Sequence, residues 1–180
     1  MPQTIHLHDK AFTLLLPYEK ILEAIERMAE KMNHDFETEK PLFLVVLKGA
    51  FMFAGELMKA VNRDCDIEFI RVKSYEGMES TGKMELQMAE TLNIEGRAVV
   101  ILEDIVDTGN TLEYLYETLK KRGAKEVKIA TLFFKSEAYQ KTKTLDYVGL
   151  EIPNAFVVGF GLDYNQRGRG FRDLYALVQE

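Results

Sequence analysis

One stretch of this chain carries its strongest structural signal: Val99-Val-Ile-Leu-Glu-Asp-Ile-Val-Asp-Thr-Gly-Asn-Thr111. The apolar run that opens it, residues 99–102, is typical of a buried strand in a parallel sheet. Two adjacent carboxylates, Glu103 and Asp104, stand where this strand is expected to end, and Asp107 follows three residues later. Because ligands collect at the carboxyl ends of parallel strands, this stretch is the first candidate for a functional site.

The residues after Asp107 are suited to binding an anion. Thr108, Gly109, Asn110 and Thr111 form a small, hydroxyl-rich run directly before a helical pattern. Free N–H groups at a helix start bind phosphate well, whereas the preceding carboxylates suit sugar hydroxyls or a metal ion. The stretch therefore predicts a site for a sugar phosphate with Mg²⁺. The alternative is an ordinary strand-to-helix turn with a capping Asp or Thr.

The composition narrows the class of protein. A length of 180 residues predicts a single domain, 1–180, with a sizeable core. The net charge of −6 does not favour nucleic-acid binding through phosphate neutralisation. The single cysteine, Cys65, leaves no disulfide framework and fits a reducing compartment. Without a signal-like N-terminus or an apolar run long enough for a membrane span, we expect a cytoplasmic protein with no membrane partner.

Apolar spacing along the chain predicts alternating helices and strands. Helices are expected over 18–32, about 51–61, and 111–122, with Gly123 as the C-cap of the last. Strands are expected at 42–47, 66–72, 99–102, 127–134, 147–150 and 156–160. The polar segment 74–87 has no clear period and is expected to be a loop. The alternation predicts an α/β fold with a mostly parallel central sheet flanked by helices on both faces.

Residues with reactive or polar side chains follow several of the predicted strands. They include Lys48-Gly49, Ser74-Tyr75, Glu103-Asp104 and Lys135. The carboxyl ends of parallel strands meet at one edge of a sheet, so these residues are expected to converge there. The three histidines, His6, His8 and His34, lie away from every motif in the sequence and are expected at the surface.

The opening stretch resembles the phosphoribosyl pyrophosphate (PRPP) loop of the type I phosphoribosyltransferases. Together with Leu47-Lys48-Gly49, Ser74-Tyr75, Lys135 and the segment 146–164, it resembles the hypoxanthine(-guanine) phosphoribosyltransferases over about residues 10–178. The resemblance implies the type I phosphoribosyltransferase fold, with a small hood from about 1–16 and 145–180. It implies a Mg²⁺-dependent transfer of the phosphoribosyl group from PRPP to hypoxanthine or guanine, giving IMP or GMP and pyrophosphate.

The resemblance assigns the acidic motif to the sugar phosphate. Glu103 and Asp104 would hold the ribose hydroxyls, directly or through Mg²⁺. Asp107 would act on the N7 proton of the purine, although it could instead contribute only its N–H and a helix cap. Residues 107–111 would surround the 5′-phosphate with N–H groups and hydroxyls.

A second group of residues is assigned to the purine base. Lys135 would donate to the 6-oxo group, which distinguishes hypoxanthine and guanine from adenine. Phe156 and Ile105 would enclose the ring, Val157 would read it through its backbone, and Leu162 would lie beside it. The alternative for Phe156 is a plain core position.

A third group is assigned to pyrophosphate and its metal. Lys48 and Gly49 resemble the pyrophosphate turn of the family, in which the peptide bond before the lysine is often cis; a solvated surface lysine is the alternative. Asp163 would hold a second Mg²⁺, and Arg172 would contact pyrophosphate. Ser74 and Tyr75 match a mobile loop that closes over the site.

The sequence departs from the family pattern at Asn165-Gln-Arg-Gly-Arg-Gly-Phe-Arg-Asp173, which is longer than usual. Alignment on Phe-Arg-Asp selects Arg172, while Arg167 and Arg169 stay as alternatives. Two other functions are kept open: a regulatory module that senses nucleotides without catalysis, and an enzyme for xanthine or a pyrimidine. Members of the family are commonly dimers or tetramers, so a homo-oligomer is expected.

Overall fold

The computed structural model describes residues 3–74 and 84–178. Within them lie three helices and ten strands. The helices are α1 (Tyr18–Asp35), α2 (Phe51–Ala60) and α3 (Asn110–Lys121). The strands are β1 (Thr4–Leu7), β2 (Lys10–Leu16), β3 (Leu42–Leu47), β4 (Asp66–Ser74), β5 (Met84–Gln87), β6 (Ala98–Val106), β7 (Glu126–Phe134), β8 (Tyr147–Glu151), β9 (Val157–Val158) and β10 (Leu174–Leu177).

The main sheet has six strands in the order β5-β4-β3-β6-β7-β8. Every neighbouring pair is parallel except β4 and β5. The apolar stripes of α1 and α2 pack on one face of this sheet, and that of α3 packs on the other. Two-sided burial explains why β3 and the start of β6 are continuous apolar runs. The predicted α/β class, with a mostly parallel sheet flanked by helices, is confirmed.

The terminal segments form a second, antiparallel sheet in the order β1-β2-β10-β9. We call this sheet the hood. It has a small core of its own, made of Ile5, Leu7, Phe12, Val158 and Tyr175. Other hood residues, such as Leu174, belong to the core cluster that also contains α1 and α2. The hood therefore packs against the rest of the protein through a shared apolar core.

Among the differences from the predicted boundaries, three concern how the two sheets are built. Strand β6 continues to Val106 instead of ending at Leu102, because it pairs with β7 beyond the end of β3. Strand β8 pairs with β7 in the main sheet, so the hood does not begin at residue 145. Residues 84–87 were predicted as loop but form an edge strand antiparallel to β4. Four edge residues are too few to give a readable period.

Candidate active site

Three parallel strands bring the predicted site residues to one edge of the main sheet. Strands β3, β6 and β7 run in the same direction, so Lys48, Asp107 and Lys135 all lie at their carboxyl ends. A cavity of about 410 Å³ opens there, a size typical of small-molecule sites. Its lining comprises Val46, Leu47, Lys48, Gly49, Glu103, Asp104, Ile105, Asp107, Lys135, Phe156, Val157, Leu162, Asp163 and Arg169.

The extension of β6 past β3 sets Asp104 against the Lys48–Gly49 turn. The last register pair between the two strands is Val45 with Leu102, so Asp104 projects over the turn that follows β3. A Cβ atom added to Gly49 would lie 1.4 Å from Asp104 Oδ2, so no larger residue fits beside this carboxylate. The Leu47–Lys48 peptide bond is cis.

The adjacent carboxylates of Glu103 and Asp104 are enclosed. Glu103 Oε2 has no hydrogen-bond partner among the described residues, and Asp104 is only 8% exposed. Burial, together with the charge of Asp104, raises the pKa of Glu103 well above its ordinary value. Burial also raises the pKa of Asp104 to about 6, against the opposing effect of the Ile105 N–H that it accepts. This pair is electrostatically unfavourable when charged, which suits a site that receives a cation.

Asp107 and Lys135 form an ion pair within the cavity. Lys135 Nζ lies 3.0 Å from Asp107 Oδ2, and Lys135 is only 8% exposed. The end of strand β6 holds the backbone of the lysine in place, because the Lys135 N–H donates to the Val106 carbonyl at 2.9 Å. The pair gives the cavity one hydrogen-bond donor and one acceptor side by side.

The hood supplies the opposite wall. Phe156 is 48% exposed and lines the cavity, so it is not the plain core residue that was kept as an alternative. Its ring lies 6.3 Å from the ring of Phe12 and 5.9 Å from that of Tyr164, contacts that fix its orientation. Val157 begins β9 and is buried, and Leu162 lies nearby in the same lining.

A second cavity of about 110 Å³ adjoins the first at the start of α3. Gly109, at the N-cap, has a φ of 85°, a conformation that glycine adopts without strain. Glycine has no side chain to cap the helix, so the first N–H groups of α3 are left for a ligand. The lining comprises Glu103, Ile105, Val106, Asp107, Thr108, Gly109, Asn110, Thr111 and Leu112. The predicted phosphate residues are thus brought together.

The arginine of the cavity is not the one that alignment selects. Arg169 lines the cavity, and its Nη2 lies 2.5 Å from Asp163 Oδ1. Arg172 lies elsewhere, with its guanidinium carbon 5.7 Å from the centre of the Tyr18 ring. The exposed Arg167 belongs to a backbone bridge with Tyr164. The structure therefore brings Arg169, rather than Arg172, to the other predicted site residues.

The donor set of the cavity fits Mg²⁺. The enclosed Glu103 Oε2 needs a partner, and Asp104 and Asp163 present further carboxylate oxygens, which are the ligands that this hard cation prefers. Within the described residues, no group of three or more His, Cys, Asp or Glu side chains forms a metal site by itself. The protein side chains therefore suit an ion that takes its remaining ligands from phosphate oxygens or water.

A few predicted and unpredicted residues complete this picture. Ser74 is the last residue of β4, and Tyr75 lies outside the described residues. Val46 and Leu47 also line the cavity; they were predicted only as part of a buried strand, although their place at its carboxyl end was an available signal. The three histidines are exposed, as predicted, and the ring of His8 makes an edge contact with that of Tyr164 at 5.6 Å. The chain folds back there, bringing β1 beside the loop that follows β9.

Comparisons with known proteins agree with this geometry. The family model for the phosphoribosyl transferase domain matches residues 14–165. A hypoxanthine-guanine phosphoribosyltransferase of Streptococcus pyogenes is 41% identical over 161 residues, covering 89% of each chain. The enzyme of that name from Streptococcus thermophilus is 39% identical over 168 residues, covering 93% of each.

Solved structures give the same result. A hypoxanthine-guanine phosphoribosyltransferase from Bacillus anthracis superposes with a TM-score of 0.84 and 34% identity, covering 92% of this chain and 96% of its own. A hypoxanthine phosphoribosyltransferase from Trypanosoma cruzi superposes with a TM-score of 0.85 and 36% identity, covering 97% and 95%. The chain belongs to the phosphoribosyl transferase family. Within that family, it is most usefully compared with the hypoxanthine-guanine enzymes, which it matches over nearly its whole length.

Proposed function

We propose that the protein is a purine-salvage enzyme that transfers the 5-phosphoribosyl group from PRPP to hypoxanthine or guanine. The products are IMP or GMP and pyrophosphate. One observation carries the proposal: the large cavity and the small anion pocket adjoin, and they share Glu103, Ile105 and Asp107. A base in the first cavity and a 5′-phosphate in the second would place the ribose beside these carboxylates. The hypoxanthine-guanine relatives support the choice of base.

The reaction breaks the bond between C1′ and pyrophosphate and forms one between C1′ and the purine nitrogen. Positive charge develops on the ribose in the transition state, so the carboxylates of Glu103 and Asp104 stabilise it where they hold the ribose hydroxyls. Asp107 accepts the proton that leaves the purine as its nitrogen bonds to C1′. The remaining contribution is alignment of the two substrates, which is a large effect in two-substrate reactions.

Base recognition rests on Lys135. The ammonium group of Lys135 lies 3.0 Å from Asp107 Oδ2, so these two residues, both of which would contact the base, hold each other in place. An ammonium group can only donate hydrogen bonds. It therefore pairs with a 6-oxo group, which accepts a hydrogen bond, and not with the 6-amino group of adenine, which is itself a donor. Phe156 and Ile105 stack on the ring from opposite sides, and Val157 and Leu162 close the lining near the hood.

The cofactor in this proposal is Mg²⁺, held by Glu103, Asp104 and Asp163. When bound, it supplies positive charge to the leaving pyrophosphate. Lys48 and the Gly49 backbone bind pyrophosphate from the β3 side. Ser74 and Tyr75 belong to the segment that would close over the substrates, and Arg172 stays a prediction for pyrophosphate contact. Residues 108–111 hold the 5′-phosphate.

The proposal is tested by a spectrophotometric assay of hypoxanthine, guanine, xanthine and adenine, each with PRPP and Mg²⁺. We expect turnover with hypoxanthine or guanine and none with adenine. Turnover of adenine but not hypoxanthine would overturn the role of Lys135. Binding of GMP without turnover of any base would favour the regulatory module.

The same assay tests the proton role of Asp107. We expect Asp107→Asn to lower kcat by about 10²- to 10⁴-fold, since a positioned base contributes on this order. Binding of GMP measured by calorimetry should persist, because Asn keeps the size and backbone of the turn. The matched control is Asp64→Asn, at a side chain that is 83% exposed. Full activity of the Asp107 variant would refute the role.

The cellular location and the oligomeric state of the protein are predictions. None of the helices in the described part of the chain has the length and apolar character needed to cross a membrane. A cytoplasmic location stays a prediction. A homo-oligomer, dimer or tetramer, is likewise a prediction, and one study of the Trypanosoma cruzi relative concerns how its C-terminal region affects oligomeric state.

A further inference from the structure

The chain that follows Lys135 folds over the anion pocket at the start of α3. A turn with an N–H to carbonyl distance of 3.1 Å reverses the chain directly after this lysine. The Gln140 N–H then lies 3.4 Å from the Thr108 carbonyl oxygen, which brings this part of the chain against the loop after β6. We call residues 136–143 the cover segment and residues 107–111 the phosphate loop. The cover segment therefore joins the end of β7 to the proposed phosphate site.

Tyr139 of the cover segment lies directly on Gly109 of the phosphate loop. A Cβ atom added to this glycine would lie 2.5 Å from Cε2 and 3.1 Å from Cδ2 of the tyrosine ring. Lys141 covers the same glycine, with its Cγ atom 2.8 Å from that position. Gly109 is consequently buried. Glycine is thus favoured here for a second reason besides its φ of 85°, since a side chain would displace the tyrosine ring.

The tyrosine ring is itself held by the main sheet and by the cover segment. It makes an edge contact with the ring of Phe134, the last residue of β7, with the ring centres 5.3 Å apart. The Tyr139 hydroxyl donates to the Lys143 carbonyl at 2.7 Å. Burial raises the pKa of this hydroxyl, and the charge of Glu113 acts in the same direction. Tyr139 is therefore a neutral, fixed ring at neutral pH.

The cover segment also contacts the first turn of α3. Lys141 Nζ lies 2.7 Å from Glu113 Oε2, and the two side chains are 22% and 52% exposed. The Glu113 N–H donates to the Gly109 carbonyl at 3.0 Å, so this turn of the helix begins at the covered glycine. An ion pair with this exposure stabilises little by itself. The ring of Tyr139 is therefore the main restraint on Gly109.

A glycine in a phosphate-binding loop needs a restraint of this kind. Glycine has the greatest backbone freedom of all residues, and Gly109 has no side chain that could hold it in one conformation. That freedom must be lost before the N–H groups of the loop and of the helix start can point at one phosphate. A ring that is fixed by other elements imposes this order before the ligand binds, so the cost does not reduce the affinity.

We propose that Tyr139 is a positioning residue for the 5′-phosphate, because its ring holds Gly109 in the conformation in which the phosphate loop binds. This inference rests on the proposed function. It adds to that function a residue that is absent from the linings of both cavities. Tyr139 acts through Gly109, so its loss should affect only ligands that carry a 5′-phosphate.

Paired calorimetric titrations with GMP and with guanosine, which lacks the 5′-phosphate, test this inference. We expect Tyr139→Ala to weaken GMP binding by about five- to thirtyfold, the cost of fixing one backbone residue. Guanosine binding should change by less than about twofold. In steady-state assays the KM for PRPP should rise, whereas the KM for hypoxanthine should stay close to that of the parent.

Further variants make the result specific. Tyr139→Phe keeps the ring and loses only the hydroxyl contact, so it should bind GMP within about threefold of the parent. Gly109→Ala should weaken GMP binding less in the Tyr139→Ala background than in the parent, because the added methyl group then has room. The matched control is Tyr147→Phe, at the amino end of β8, which loses a hydrogen bond to Asp35 and should bind GMP like the parent.

Hydrogen exchange of the ligand-free protein measures the restraint without any ligand. The backbone N–H groups of residues 108–112 should exchange faster in Tyr139→Ala than in the parent or in Tyr139→Phe. If Tyr139→Ala is too unstable to assay, Tyr139→Leu takes its place, since leucine keeps apolar bulk but not the flat ring. The same loss of GMP affinity with normal guanosine binding is expected of it.

The inference is wrong if Tyr139→Ala binds GMP as tightly as an active parent does, a result that leaves the proposed function standing. It is also wrong if GMP and guanosine lose affinity equally, because the ring would then support the site as a whole. A parent protein that binds neither GMP nor guanosine and forms no nucleotide would remove the proposed function as well.

Discussion

Asp104 is held in an environment that opposes its own charge. Burial raises its pKa to about 6, from the ordinary value of 3.8, although its Oδ1 accepts the Ile105 N–H at 2.8 Å. The folded protein therefore binds the proton of Asp104 more tightly than the unfolded chain does. Stability from this group is full below the unfolded pKa and is lost as pH rises through the folded pKa.

A neutral residue at this position should stabilise the ligand-free protein at neutral pH. We expect Asp104→Asn, measured by urea unfolding with EDTA at pH 7.5, to raise the free energy of unfolding by about 1–3 kcal/mol. The gain should shrink as pH falls and vanish below about pH 3, where Asp104 is protonated in both states. The variant should lose activity, because the amide cannot serve as an anionic ligand.

The control for this prediction is Asp64→Asn, whose side chain is 83% exposed. Its unfolding free energy should stay within about 0.5 kcal/mol of the parent at both pH values. If Asp104→Asn were less stable than the parent at pH 7.5, the charge of Asp104 would have to be compensated inside the ligand-free protein.

Most residues of the cavity were predicted from the sequence. The arginine was not, because the motif selected Arg172 and the structure places Arg169 in the lining. Carboxylates and lysines directly after buried strands could be assigned because the strand fixes their position. The arginine lies beyond a turn in which Asn165 and Gln166 also adopt positive φ values of 47° and 67°. Alignment on a short motif cannot tell which side chain such a turn directs inward.

The segment that follows β9 lies directly against the Lys48–Gly49 turn of the main sheet, and the contact is made at Gly161. Gly161 has a φ of 97°, and an added Cβ would lie 2.0 Å from the Gly49 carbonyl oxygen. We expect Gly161→Ala to lower the free energy of unfolding by about 1–3 kcal/mol, from backbone strain and from displacement of the Lys48–Gly49 turn. Urea unfolding measures the first effect, and calorimetry with pyrophosphate and Mg²⁺ measures the second.

The matched substitution is Gly55→Ala, in the middle of α2. Nothing lies within 4 Å of a Cβ atom at Gly55, and alanine favours the helix. This variant should be more stable than the parent by about 0.5–1 kcal/mol. Equal stability of Gly161→Ala and the parent would show that the two loops can separate without cost.

Elements with strong local patterns were predictable, and those that depend on distant partners were not. The apolar run of β3 was predicted with its observed ends, residues 42–47. In contrast, the family resemblance implied a hood from the terminal segments, but no sequence pattern predicted the strands β1, β2 and β10. Strand β2 has an irregular burial pattern, and it pairs with β1 on one side and with β10 on the other. Its partner β10 lies more than 150 residues away in the sequence, so the pairing leaves no local signal.

For the molecule as a whole, the cavity exists only where the hood meets the main sheet. One wall carries Phe156 and Val157 from the hood, and the other carries residues of the main sheet. Apolar contacts through the buried Phe160 and Leu174 hold the two parts together. Asp173 adds a polar connection, since its Oδ1 accepts the Tyr18 N–H at 2.8 Å.

That polar connection replaces a helix cap. Pro17 stands at the N-cap of α1 and has no side-chain group that could accept a hydrogen bond. Asp173, only 2% exposed, supplies the missing acceptor from the other end of the chain, and its second oxygen accepts the Tyr175 hydroxyl at 3.3 Å. The start of α1 and the position of β10 are therefore coupled.

Breaking this connection should loosen the hood and weaken base binding. We expect Asp173→Ala to lower the free energy of unfolding by about 1–3 kcal/mol, the range for loss of a cap and of a buried acceptor. Asp173→Asn, which keeps an acceptor for Tyr18, should lose less. The KM for hypoxanthine should rise more than the KM for PRPP, because the hood forms the base wall whereas the 5′-phosphate pocket belongs to the main sheet. A stability loss with an unchanged KM for hypoxanthine would show that apolar packing alone positions the hood over the base.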